Sequence, residues 1–164
     1  MCALASWAVR SIWQEYSGWF HYEDGTTALY GVPRSSVHAD IAELAAVGAP
    51  YDLVRVQKEA DIEAPAGAPH FKDIRLVMQD AILVKAGLGS EVTLTNDQSA
   101  NFANKLVITT GLGQSIPVDR GWASVEARVV KQKFRFVNTH LEAFGDTKIR
   151  EAQAKELTKG PLKA

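Results

Sequence analysis

The chain has 164 residues, 46% of them hydrophobic, with a formal net charge of -1 and one cysteine, Cys2. This length suits one domain with a sizeable core, or part of a larger one, and one cysteine excludes an intrachain disulfide. The balanced charge gives no global pull toward nucleic acid or anionic membrane, though it leaves room for a local basic groove, and no apolar run reaches the roughly 18 residues of a transmembrane helix.

Met1 to Val9 is apolar, but Arg10 interrupts it and no basic region precedes it, so it does not read as a signal peptide. Residues 11–34 carry Trp13, Tyr16, Trp19, Phe20, Tyr22 and Tyr30 among Gly18, Gly25, Gly31 and Pro33. They read as an irregular loop packing its aromatics on the core, with a ligand-stacking surface as the alternative. Ser35 or Ser36 caps an expected helix from Val37 to Ala46, with Val37, Ile41, Leu44 and Ala45 on one face. Gly48 and Pro50 end it. Residues 51–57 read as a strand. Glu59, Asp61 and Glu63 follow, ahead of the breaker cluster 64–69. Three carboxylates at a spacing of two would share one side of a strand and could bind a metal. A solvated acidic edge or loop is the expectation, because hard-cation sites usually gather ligands from separate elements.

The apolar runs 74–78 and 81–84 flank Gln79-Asp80 and fit buried strands, or one strand bent at the polar pair. An aspartate between such runs needs a partner or faces a site. Gly87-Leu-Gly89 turns the chain, 92–94 adds a short strand, and 96–101 is a polar loop leading into 102–109. Gly111-Leu-Gly113 is a hairpin turn into Ser115–Val118, where Pro117 marks an edge. Asn101 and Asn104 are expected to serve the backbone. Arg120-Gly-Trp122 opens a strand over 123–130, residues 131–133 turn it, and 134–139 returns. Phe134, Phe136, Asn138 and His140 share one parity and so project to one face. Two aromatics anchor that face, with an amide and an imidazole at the strand's C-terminal end, where open α/β sheets place ligands. Asp146 or Thr147 caps a last helix through 149–157, ended by Gly160-Pro161.

The run Val137-Asn-Thr-His-Leu-Glu142, with Arg150, Gln153 and Leu157 downstream, resembles the endonuclease/exonuclease/phosphatase superfamily. That superfamily includes pancreatic-type deoxyribonucleases, sphingomyelinases and inositol-polyphosphate phosphatases. The resemblance runs from about Ser36 to the end, is most specific over 121–157, and looks closest to bacterial members of unassigned substrate; residues 1–35 have no match in it. It implies an α/β fold, part of a four-layered α/β/β/α sandwich with mostly antiparallel sheets, with 1–164 as one incomplete domain. It further implies hydrolysis of a phosphate ester (nucleic acid, lipid head group or small molecule) with magnesium or manganese as cofactor. Asn-Thr-His-Leu carries the family's catalytic histidine, here His140. Asn138 lies beside the active site, and Asp80 matches a polar position near the phosphate. Glu142 matches a frequent residue of no fixed role. Arg150 and Gln153 look like helix residues facing the sheet or solvent.

Hydrolysis of a phosphate ester needs an activated water, stabilised phosphate charge and a proton for the leaving oxygen. His140 exchanges protons near neutral pH, and Asn138 can hold a phosphate oxygen or orient the ring. Taken alone, a histidine at a strand end is a structural hydrogen-bonder; the resemblance makes it catalytic. The family binds magnesium largely through a glutamate in a Gln-Glu motif on an early strand. Gln57-Lys58-Glu59 resembles that motif, but its surroundings align with a later strand, so Glu59 is not assigned as a ligand. Nor is Glu15 of Gln14-Glu15. The family's Gly-Asp-x-Asn and Ser-Asp-His motifs are expected after residue 164 and occur nowhere in the chain, so a truncated member is expected. The alternatives are a non-catalytic remnant or binding module that keeps the fold without the metal, and a surface or carbohydrate binder using the aromatics of 13–30. Substrate identity, oligomeric state and localisation are not fixed by the sequence; relatives are often exported, yet this N-terminus is unlike an export signal.

Overall fold

The computed structural model describes residues 9–22, 27–28, 37–66 and 72–163, with side chains over 41–62 and 77–163. In chain order these form β1 (Val9–Tyr22), β2 (Thr27–Ala28), α1 (Val37–Ala46), β3 (Tyr51–Ala66) and β4 (Lys72–Lys85). After a 3-10 turn at Gly89–Glu91 come β5 (Val92–Asn101), β6 (Leu106–Thr109), β7 (Ser115–Val118), β8 (Gly121–Val129), β9 (Gln132–His140) and α2 (Thr147–Lys159). The sheets run β2-β1-β4-β3, β5-β8-β9 and β6-β7, and their registered strand pairs are antiparallel. The chain therefore mixes helix and strand, with antiparallel sheets dominant. No helix among the described residues is long and apolar enough to cross a membrane.

Strand alternation builds the core. Ile82 of β4 packs with Ala123, Val125 and Ala127 of β8, and Phe134 and Phe136 of β9 close on them together with Val54 and Leu94. One face of the four-stranded sheet thus meets one face of the three-stranded sheet. The opposite parity of β4, Ala81 and Leu83, packs against Ile41 and Leu44 of α1 and Tyr51 and Val56 of β3. Full burial of side chains such as Ile82 and Leu83 contributes about 1.5–3 kcal/mol each.

Several sequence expectations are met. Helix α1 spans Val37–Ala46, and Gly48, at φ 79°, ends it in the left-handed conformation that glycine adopts without a Cβ penalty. Residues 74–84 lie in one strand, and β6 and β7 form the expected hairpin. Asp146 caps α2, its side chain accepting from the Lys148 N–H at 2.9 Å. The strand pair 123–130 and 134–139 turns slightly earlier than expected, through Val130-Lys131, since Val129 pairs with Gln132.

Others are corrected. The irregular loop expected over 11–34 is, through Tyr22, the strand β1, paired with β4 and bulged between Gln14 and Ser17. Its aromatic and β-branched content favours extended backbone, and the bulge absorbs the irregularity. The acidic run at Glu59, Asp61 and Glu63 is an edge and not a loop, because β3 continues through it to Ala66 against β4 at the edge of its sheet; Asp61 is exposed there, but Glu59 is buried. The polar loop expected over 96–101 belongs to β5, which bulges between Thr95 and Gln98 with Asn96 at φ 53° and then rejoins β8. The expectations for residues 1–8, Gly25, Tyr30, Gly31, Pro33, the capping serines Ser35 and Ser36, and 67–69 lie outside the described residues.

Candidate functional site

A buried polar cluster forms where the ends of β8 and β9 meet the middles of β3 and β4. The bulge in β3 supplies its first member. Lys58 pairs with Gln79 and Ala60 with Met78, so Glu59 is the inserted residue. A bulge re-aims a side chain, and here Glu59 and Ala60, consecutive in sequence, are both 2% exposed. Asp80 enters from β4, also 2% exposed. Arg120 precedes β8, His140 ends β9 opposite Gly121, and Glu142 follows.

Gly121 permits this convergence. A Cβ there would lie 2.6 Å from both the Ala100 carbonyl oxygen and Gln57 Nε2. Its bare backbone N–H instead donates to Glu59 Oε1 at 3.3 Å. The Gln57 amide donates to Asn101 Oδ1 and to the Lys58 carbonyl, bracing β3 beside the bulge.

The buried guanidinium of Arg120 organises the charges. It lies 3.5 Å from Glu59 Oε2 and 3.3 Å from Glu142 Oε2, and Nη1 lies 3.6 Å from Met78 Sδ. His140 Nδ1 is 2.7 Å from Glu59 Oε2 and 3.3 Å from Arg120 Nη1. The carboxylate at the shorter contact can accept from a protonated Nδ1, the tautomer in which Nε2 is the acceptor nitrogen. Glu142 Oε1 accepts from the Phe144 N–H at 3.0 Å, while its own N–H donates to Gln153 Oε1 at 2.7 Å. Gln153 Nε2 donates to the Asn104 carbonyl at 2.8 Å. Helix α2 is thereby tied to the segment just after His140.

Burial pushes the Asp80 carboxyl up from an ordinary 3.8 to about 7, reinforced by the charge of Glu59 and partly offset by His140 and Arg120. Asp80, Asn138, Thr139 and His140 line a cavity of about 320 Å³. Asp80 Oδ1 and Asn138 Nδ2, both closed off from solvent, have no hydrogen-bond partner. A larger cavity of about 580 Å³ lies along Thr95, Glu126, Arg128, Phe134, Arg135 and Leu162. Arg135 is engaged there by Glu126 and by the Pro161 and Lys163 carbonyls.

Among the described residues, ligand atoms of Glu59, Asp80 and His140 lie within 4.8 Å of one another. An imidazole with two carboxylates is a mixed donor set of the kind transition metals accept. The arrangement as folded does not fit a hard divalent ion. Glu59 Oε2 and His140 Nδ1 bind each other, Glu59 Oε1 takes the Gly121 N–H, and the Arg120 guanidinium already stands at the carboxylate. Magnesium requires near-octahedral oxygen coordination, and these residues do not assemble it.

The three residues singled out from the sequence, His140, Asn138 and Asp80, are thus brought to one cavity. Arg150 is exposed, whereas Gln153 is fully buried. The sequence reading considered Glu59 as a metal ligand without assigning it, and did not single out Arg120. A bulge leaves no periodic trace, so Glu59 looked like one more member of an acidic run; Arg120 carried only the faint signal of an Arg-Gly pair opening a strongly alternating strand. Comparison of the chain with family models, curated proteins and solved structures found no match.

Proposed function

We propose that this cluster hydrolyses phosphate esters, with His140 moving the proton, and that the chain belongs with the endonuclease/exonuclease/phosphatase hydrolases. The observation that carries the reading is the 2.7 Å contact between His140 Nδ1 and the buried Glu59 carboxylate, in a histidine that also lines a cavity with Asp80 and Asn138. A carboxylate on one imidazole nitrogen fixes the tautomer and stabilises the imidazolium that forms when the other takes a proton. Nε2 would draw a proton from water, Asn138 would donate to a phosphate oxygen, and Arg120 would hold Glu59 in place. The two facing sheets, with α1 on the outer side of one, support the inner part of a four-layered α/β/β/α sandwich.

Magnesium or manganese, when bound, would supply neutralisation of phosphate charge. The described donors do not assemble the oxygen octahedron of magnesium, whereas Glu59, Asp80 and His140 are a donor set that manganese accepts. The second reading is a phosphate-binding module that keeps the fold without turnover. Hydrolysis of bis-(p-nitrophenyl) phosphate and p-nitrophenyl phosphate by the wild type and His140→Ala, with and without manganese, decides between them. Turnover lost in His140→Ala supports the hydrolase. Absence of turnover, with phosphate still shifting the His140 signals, supports the binding module.

A further inference from the structure

The outer face of the three-stranded sheet carries its charges in two rows that cross the strands. In one row Thr95 stands opposite Glu126, and Glu126 opposite Arg135. This row is balanced, because Arg135 Nη2 donates to Glu126 Oε1 at 2.9 Å. In the other, Thr93 stands opposite Arg128, and Arg128 opposite Lys133. Like charges directly opposite each other destabilise an antiparallel pair. Neither cation forms an ion pair among the described residues, and Arg128 Nη2 reaches the Thr93 hydroxyl at 3.5 Å.

Both rows line the cavity of about 580 Å³, inside the range of about 300–1,000 Å³ typical of ligand pockets. The C-terminal segment builds one wall. Arg135 Nη1 donates to the Pro161 and Lys163 carbonyls at 2.9 and 3.1 Å, which holds the half-exposed Leu162 at the cavity, where Val137 also lies. The Arg135 fork is thereby filled by this wall and by Glu126, and the Glu126 carboxylate by Arg135 and Asn96. Arg128 and Lys133 are left facing the cavity without an anion, beside two threonine hydroxyls and an apolar wall.

We infer that this cavity binds a small phosphate monoester as its dianion, with the phosphate between Arg128 and Lys133 and the organic body against Leu162 and Val137. A guanidinium forks onto two phosphate oxygens and an ammonium adds a point charge. Two positive charges match a dianion, whereas a sulfate ester, with one negative charge, neutralises half of them. On β9, Lys133, Arg135 and Val137 have the opposite parity to Asn138 and His140 and so project from the other face. The inference is therefore independent of the reading given to the His140 cluster.

Phenyl phosphate, phenyl sulfate and inorganic phosphate serve as probes at about pH 7.5, where a phosphate monoester is mostly dianionic, with ionic strength held constant by sodium chloride. Dissociation constants are read from the amide NMR signals of Thr93, Thr95 and Leu162. The expected result is a saturable shift, with phenyl phosphate bound about tenfold more tightly than phenyl sulfate, which has the same body and one charge fewer. Inorganic phosphate, lacking the body, should bind more weakly than phenyl phosphate. Arg128→Gln and Lys133→Gln, both at exposed positions, should each weaken phenyl phosphate about tenfold, and His140→Ala should leave its affinity here unchanged. Absence of a saturable shift overturns the inference, as does an affinity unchanged in either cavity variant. Sulfate ester or inorganic phosphate bound as tightly as phenyl phosphate overturns it too. Shifts that vanish in His140→Ala would assign the binding to the cluster and overturn it as well.

Discussion

Replacing Arg120 by methionine removes the cation on which the cluster is built while keeping most of the aliphatic bulk. The side chain is 4% exposed and the carboxylates it faces, Glu59 and Glu142, are 0% and 1% exposed. Neither could recover its lost partner from solvent. Removing one member of such a buried pair costs about 3–5 kcal/mol, chiefly because a charge is left uncompensated. Set against a total stability of about 5–15 kcal/mol for a typical domain, Arg120→Met should lower the urea midpoint sharply with little change in slope. Tryptophan fluorescence and far-ultraviolet circular dichroism report the transition together. Glu142→Gln alone should cost about 1–2 kcal/mol, since the amide can still accept from Arg120 Nε. The double variant should lose less than the sum, because the second change removes a charge that the first had stranded. A loss below about 1 kcal/mol for Arg120→Met, or strict additivity, would refute the reasoning.

Further outcomes follow from the same geometry. The Asp80 carboxyl ionises at about 7 folded and near 3.8 unfolded, so between those values the folded state binds more protons. Its contribution is fully present below the unfolded value and is lost as pH rises through the folded one, on the order of a few kcal/mol; unfolding curves across that window should show the slope, and Asp80→Asn should flatten it. Gly121→Ala places a methyl 2.6 Å from the Ala100 carbonyl oxygen and should cost about 1–3 kcal/mol in chemical denaturation; an unchanged midpoint would mean that β5 yields there. Gln153→Leu removes both hydrogen bonds joining α2 to Glu142 and Asn104 and should destabilise by about 2 kcal/mol, with faster amide exchange at Glu142 as the local readout.

How much of this could be read from the sequence depends on which residues obey a period. β8 and β9 were legible because Ala123, Val125 and Ala127 alternate cleanly and Phe134 and Phe136 mark the facing parity. That same parity put Asn138 and His140 on one face. Helix α1 was legible from its spacing and from Gly48. What remained hidden turned on β-bulges. One in β3 swings Glu59 inward, one in β5 carries the strand through Asn96 and Asp97, and one in β1 interrupts an aromatic-rich strand. A bulge inserts a residue without changing composition, so local pattern reads it as a loop. Arg120 and Glu142 were opaque for another reason: charged residues are seldom fully buried unless paired, and the pairing spans 22 residues of sequence.

The proposed chemistry requires His140 to be held at Nδ1 by Glu59 so that Nε2 exchanges the proton. Long-range proton–nitrogen correlation of the His140 ring, at a pH where the ring is neutral, tests this most directly. The expected results are the Nδ1-protonated tautomer in the wild type, loss of that single tautomer in Glu59→Ala, and a shift at Nε2 when inorganic phosphate is added. A ring protonated at Nε2 in the wild type, or one indifferent to both changes, would contradict it.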